Sequence, residues 1–166
     1  MKTIANDQSY WKTFRDNFLT HSSAHYLRAV AQLLEQKGYA RVTDVARQLE
    51  ITKAAASQGV AILKSRGLVC EDEARMLSLT DTGRTLIAAI ERNFAVLSAF
   101  FEQILDVPSE IARADACKME HLLSPETAAN LQGLLEAIME DSERRASLVA
   151  RLRDLASPLN KGGWEG

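Results

Sequence analysis

A thiol, a carboxylate and an imidazole stand close together at Cys117, Glu120 and His121. The segment Cys117-Lys118-Met119-Glu120-His121 reads as helix, and positions i, i+3 and i+4 of a helix share one face. The three side chains can therefore point at one spot. These are donor types that bind transition metals. The plain alternative for Cys117 is an inert packed thiol, since free cysteines are commonly buried. A hydrolytic metal centre would also need an open coordination position, a general base and a cleft. No spare histidine or hydrolytic motif supplies these, so an enzyme is not expected.

The elements that must position this cluster follow from composition and periodicity. At 166 residues, 46% hydrophobic and 25% charged, the chain can bury the core of one domain or two small ones. No apolar run approaches about 18 residues, so no membrane span is expected. Met1 to Asp16 lacks the apolar stretch of a signal peptide, which predicts a cytoplasmic protein. Cys70 and Cys117 sit in different contexts, and a disulfide between them is not expected. Cys70 reads as a core residue of a strand.

Tyr10, Phe14 and Phe18 mark an amphipathic helix over Gln8 to Leu19. His21-Ser22-Ser23 interrupts it, and either serine can cap a following helix over Ala24 to Lys37 that turns Leu27, Val30, Leu33 and Leu34 inward. Gly38 ends that helix. Thr43 caps Asp44 to Leu49, Glu50-Ile51 turns, and Thr52 caps Lys53 to Lys64. Leu68-Val69-Cys70 and Met76 to Leu79 form a hairpin around the polar turn Glu71 to Arg75. A long helix, roughly Arg84 to Leu105, carries a Leu86, Ile90, Phe94, Leu97 and Phe101 stripe. Helices then start at Pro108-Ser109-Glu110, where the cysteine cluster follows, and at Ser124-Pro125-Glu126, the latter running to about Ile138. Glu140 to Leu155 is a last, charged helix, and Ser157 to Gly166 a loose tail. The fold class is mostly α: an N-terminal winged helix-turn-helix followed by an all-helical domain.

Helix, turn, helix and a two-stranded wing is a DNA-reading arrangement. The net charge of −2 does not suggest nucleic acid, but its distribution does. From Lys37 to Cys70 there are six basic residues and two acidic ones, a local charge of +4. The second helix of the motif opens with small residues at 54–56 and 59, which permit close approach to a groove. Ser57 and Gln58 can reach base edges or phosphates, and Thr52, Lys53, Lys64 and the wing's Arg75 suit phosphates. A winged helix used only for protein contact is the bland reading.

The segment from His25 to Val69, then LSLTDTGR at 77–84 and DACKMEHLLS at 115–124, resembles the diphtheria toxin repressor family, which also holds the manganese transport regulators. The resemblance runs from about Ala24 to Leu135. It implies a metal-activated transcriptional repressor, controlling metal uptake or homeostasis, that binds operator DNA as a homodimer. Residues 1–82 would be the DNA-binding domain with an N-terminal helical extension, 83–156 the metal-binding and dimerisation domain, and 157–166 a flexible tail. The SH3-like domain of longer members has no counterpart, so the two-domain form is expected.

The resemblance also implies a metal site. Iron-type members carry C-x-x-E-H, which falls on Cys117, Glu120 and His121, and a ligand from the N-terminal helix, which falls on His25. His21 can add a further ligand if the helix runs back through it. The ancillary-site positions fall on Phe94, Ser98 and Arg113, and the second acidic position of manganese-type members on Arg28. None of these is a good ligand, so one metal per subunit is expected, unless His21 or Asp115 completes a second site. Family analogy favours ferrous iron. The N, N, O, S donor set would equally suit zinc, and manganese is least favoured by a thiolate. Phe94, Phe100 and Phe101 are expected in a dimer core. The rival reading is a metal-independent winged-helix regulator answering to a small organic ligand or protein partner.

Overall fold

A computed structural model of the chain describes residues 19–156. The predicted helix over Gln8 to Leu19 lies outside them except for Leu19, and the predicted tail from Ser157 lies outside them entirely. The chain divides into two compact units at Ile87 and Ala88.

The first unit contains helices α1 (His21–Lys37), α2 (Val42–Gln48) and α3 (Lys53–Ser65), strands β1 (Val69–Glu71) and β2 (Leu77–Leu79), and the start of α4 (Asp81–Gln103). Helix α1 begins three residues before the sequence reading placed it. Thr20, extended at φ −81° and ψ 156°, is the N-cap, and its hydroxyl accepts from Ser23 N–H at 3.2 Å. Neither serine caps the helix: Ser23 is buried inside it. Gly38, at φ 75°, stops α1 as expected and donates its N–H to Leu34 O. Helix α2 also starts earlier than predicted. Arg41 is its N-cap without a side-chain bond, so Thr43 lies within the first turn and caps nothing. Thr52 caps α3 as expected, accepting from Ala55 N–H at 3.2 Å.

The core of this unit is aliphatic. Leu27, Val30, Val45, Val60, Leu63, Leu68 and Leu77 are all essentially inaccessible, and each such side chain contributes about 1.5–3 kcal/mol relative to exposure. The hairpin pairs Val69 with Leu79, Cys70 with Ser78 and Glu71 with Leu77. Alternation turns Val69, Leu77 and Leu79 inward and Cys70 outward. Cys70 is thus exposed, its Sγ 3.0 Å from Ser78 Oγ, and not the core residue the sequence suggested. Gly83 allows α4 to start tight against the wing: a Cβ there would lie 2.0 Å from Leu68 O.

The second unit contains the rest of α4 with α5 (Ser109–Met119), α6 (Pro125–Met139) and α7 (Ser142–Ala156). Its buried positions on α4 are Ile90, Asn93, Val96, Leu97 and Ser98, and Ile104 is buried in the turn just after the helix. Ile90 and Leu97 of the predicted stripe are there, but Phe94 and Phe101 are only half-buried. The buried face is rotated from the aromatic stripe toward Asn93 and Val96, and Asn93 on it has partners described below. Ser124 caps α6, accepting from Thr127 N–H at 3.1 Å.

Candidate metal centre and DNA-reading surface

Helix α5 is a narrow helix with a chemical end. Ala112, Ala116 and Glu120, at i, i+4 and i+8, form its buried edge. Two alanines bring the backbone close to its neighbours, and the same edge ends in a carboxylate with 0% exposure. Removing a carboxylate from water costs several kcal/mol unless opposite charge, hydrogen bonds or a metal compensates. Cys117 lies on the last turn, half-buried. Glu120 is the C-cap and keeps helical dihedrals (φ −51°, ψ −37°), so Cys117 and Glu120 share a face. His121 falls outside the helix, in a turn closed by Leu122 N–H donating to Met119 O at 2.9 Å. The predicted helical cluster therefore straddles a helix terminus.

That terminus is held by a residue the sequence reading did not single out. Asn93, buried on α4, donates from Nδ2 to Glu120 O at 2.7 Å and to Leu123 O at 3.3 Å. A helix end leaves its last carbonyls without helical partners. One carboxamide here takes two carbonyls bracketing His121, and so fixes the turn that carries the donors. No local signal marks Asn93 for this role, since its partners are about thirty residues away.

The positions where the resemblance would place a second metal are occupied differently. The Arg113 guanidinium lies 5.3 Å from the Phe94 ring centroid, a cation–π contact. Ser98 Oγ is buried and, among the described residues, has no hydrogen-bond partner. Asp115 is in an ion pair with Lys118 at 2.9 Å.

His25 stands in the first unit, on α1, half-buried. Its Nε2 is 3.1 Å from Nε2 of His21, one turn earlier. Burial pushes the His25 imidazole below its ordinary pKa, and the nearby charges of His21 and Arg28 push the same way. A neutral imidazole is the form that binds metal. Arg28, where the resemblance implies an acidic residue in manganese-type members, brings positive charge beside His25.

The other predicted residues gather on the first unit's surface. Thr52, Lys53, Ser57 and Gln58 are exposed along the N-terminal half of α3, and Thr52 spends its hydroxyl on the cap. Two of the small residues of α3 serve a different purpose from the one expected, while Ala54 stays exposed. Ala56 and Gly59 face inward. A Cβ on Gly59 would meet the Tyr26 ring at 2.4 Å, and Tyr26 Oη donates to Ala55 O at 3.3 Å. The glycine accommodates α1, not a DNA groove. Between α3 and the hairpin lies a cleft of about 510 Å³ lined by Arg41, Lys53, Ser57, Lys64, Glu71 and Arg75, among others. Arg41 is one of the six basic residues of the Lys37 to Cys70 stretch, though not among the residues expected to meet DNA. Glu71 accepts from Lys64 and pairs with Arg75 at 3.5 Å, tying recognition helix to wing. The Lys64 hydrogen bond, with the charges of Lys64 and Arg75, holds the Glu71 carboxyl below the usual carboxylate range against the opposing effect of burial.

Known proteins share this organisation. Residues 18–76 match the N-terminal DNA binding domain of iron dependent repressors, and residues 80–147 their metal binding and dimerisation domain. The diphtheria toxin repressor of Corynebacterium diphtheriae is 29% identical over 120 residues, covering 72% of this chain and 53% of that protein. The HTH-type transcriptional regulator MntR of Bacillus subtilis is 28% identical over 129 residues, covering 78% of this chain and 90% of that one. The crystal structure of the metal-dependent transcriptional regulator MtsR matches with a TM-score of 0.63 at 23% identity, covering 71% of this chain and 55% of that one, a likeness of fold. The chain spans about half the length of the diphtheria toxin repressor and IdeR relatives. With the two domains matched in sequence order and a winged helix followed by a helical domain in the structure, the chain belongs to the iron-dependent repressor family of the diphtheria toxin repressor.

Proposed function

We propose that this chain is a metal-dependent, DNA-binding transcriptional repressor that works as a homodimer and controls metal uptake or homeostasis. The observation that carries the reading is the fully buried Glu120 carboxylate between Cys117 and His121, in a chain whose other half is a basic winged helix. The division is that of a DNA-binding domain over 1–82 and a metal-binding and dimerisation domain over 83–156. No helix among the described residues is long and apolar enough to cross a membrane, and the protein works in the cytoplasm, where its operator lies.

The donor set fits a divalent transition metal: His25, Cys117, Glu120 and His121 offer nitrogen, sulfur, oxygen and nitrogen. Bound by them, such an ion supplies a link between the two domains that favours, by a few kcal/mol, the arrangement in which the dimer's recognition helices match successive major grooves, about 34–36 Å apart. Asn93 keeps the Glu120–Leu123 turn in place, so the donors need little ordering on binding. Arg113 over Phe94 puts fixed positive charge at the ancillary positions, which supports one metal per subunit. Family analogy favours ferrous iron, zinc suits the same donors, and manganese suits the thiolate least.

On the DNA side, Lys53, Lys64 and Arg75, with Arg41, meet phosphates along the cleft beside α3, while Ser57 and Gln58 face base edges. The test is DNA retardation by the chelated protein with iron, zinc or manganese returned singly. Metal-dependent retardation, lost in Cys117→Ala and His121→Ala while both variants stay dimeric, is the expected result. Retardation that is equal with and without metal would replace this reading by a metal-independent regulator.

A further inference from the structure

The start of α1 places a second histidine beside the first. Because Thr20 caps the helix, His21 is its first residue and His25 lies one turn on, at the spacing that puts two side chains on one face. The rings have turned their Nε2 atoms toward each other: the nitrogens are 3.1 Å apart, the ring centroids 4.4 Å, and the ring planes cross at 75°. Two imidazole nitrogens bound to one cation at about 2.0–2.1 Å stand roughly 2.8–3.4 Å apart for angles between square and tetrahedral. The observed separation lies in that range. A pair of histidines at i and i+4 on a helix is a preorganised chelate, since the backbone has already fixed both ligands.

We propose that His21 and His25 act together as a two-imidazole chelate, so that His21 is an additional ligand for the divalent metal. The inference rests on the metal site put forward above and deepens it. It makes the donor set richer in nitrogen than His25, Cys117, Glu120 and His121 alone. Imidazole favours zinc, iron, cobalt and nickel over manganese, which prefers oxygen. Arg28, at i+7 from His21, follows the pair along the same helix face and carries a fixed positive charge. That charge opposes a second cation beside the pair, so the chelate strengthens one site and does not add another. The plain alternative is a hydrogen bond between two imidazoles with no ligand role.

The test is metal titration of the full, metal-stripped chain with zinc, cobalt and manganese, following bound metal and the cobalt absorption spectrum, with no DNA present. The variants are His21→Ala, His21→Gln, Cys117→Ala and His121→Ala. His21 is exposed, and both substitutions leave the Thr20 cap untouched, so the helical circular dichroism should not change. Zinc and cobalt affinity should fall about tenfold or more in both His21 variants, with manganese affinity falling less and the cobalt spectrum altered. His21 variants that bind zinc and cobalt like the unaltered chain, while His121→Ala loses binding, would overturn the chelate and leave the site of the preceding section standing. If instead Cys117→Ala and His121→Ala bind normally and the His21 variants do not, the chelate is upheld and the larger site falls.

Discussion

Among the described residues, the largest side chains with essentially no exposure are Leu27, Val30, Val45, Val60, Leu63, Leu68 and Leu77, all in the first unit, and Glu120, alone from the second. The large apolar side chains left exposed show the reverse. Leu105, Ile111, Met119, Leu122, Leu134, Met139 and Leu155 belong to the second unit, and Tyr39 and Ile62 to the first. The DNA-reading unit closes an aliphatic core from its own elements. The helical unit gives its deepest large position to a carboxylate, and much of its apolar surface stays uncovered. This unit matches a metal binding and dimerisation domain, and the homodimer proposed above would cover apolar side chains of this kind.

The contrast is most easily broken by cutting into each core. Leu63→Ala should destabilise the chain by about 2–5 kcal/mol in denaturant unfolding, through lost burial and an unfilled cavity. Leu134→Glu, at a position 50% exposed, should leave that midpoint nearly unchanged and shift sedimentation from dimer toward monomer. If Leu134→Glu unfolds the protein or leaves the dimer intact, the difference between the units has been misread.

Asn93→Ala sharpens the account of the second unit. It leaves the Glu120 and Leu123 carbonyls without their donor, at a cost of about 1–3 kcal/mol. It should also weaken metal binding, although Asn93 contributes no side-chain ligand. Calorimetric titration with zinc that shows an unchanged affinity would reduce Asn93 to packing.

On the first unit, Gln58→Ala should cost about 1–3 kcal/mol at one or two base positions of the operator. Lys53→Ala should weaken binding to all sequences and flatten the salt dependence by about one unit of slope. A binding-site profile unchanged in Gln58→Ala would show that this residue reads no base.

The smallest effect concerns the wing. Glu71 has its folded pKa lowered, so the unfolded chain binds more protons between the two values. Its contribution is present above the ordinary carboxylate pKa and disappears as pH falls through the lowered one. Glu71→Gln should therefore be slightly less stable than the unaltered chain at neutral pH, with the gap closing below about pH 4. A gap that is constant from neutral to acid pH would mean that the Lys64 and Arg75 pairs contribute nothing through charge.

Much of this was legible in the chain alone, because it depends on neighbours in sequence. Helical periodicity, the Gly38 stop, the Thr52 cap and the hairpin are local, and the structure contains each of these features, whereas the predicted helix over Cys117 to His121 ends before His121. What was misread depends on competition or on distant partners. Thr20, Ser22 and Ser23 are all able caps, and the burial of Ser23 and Ala24 against the first unit's core accompanies the choice of Thr20. Only then are His21 and His25 on one helix. Cys70 faces solvent because the hairpin's register turns Val69 inward. Gly59 is required by Tyr26, thirty-three positions earlier, and Asn93 by carbonyls twenty-seven and thirty positions later. Residue types and short spacings determined which chemistry was present. Tertiary packing decided which face each residue presents and what holds the donors in place, since those depend on atoms that only folding brings together.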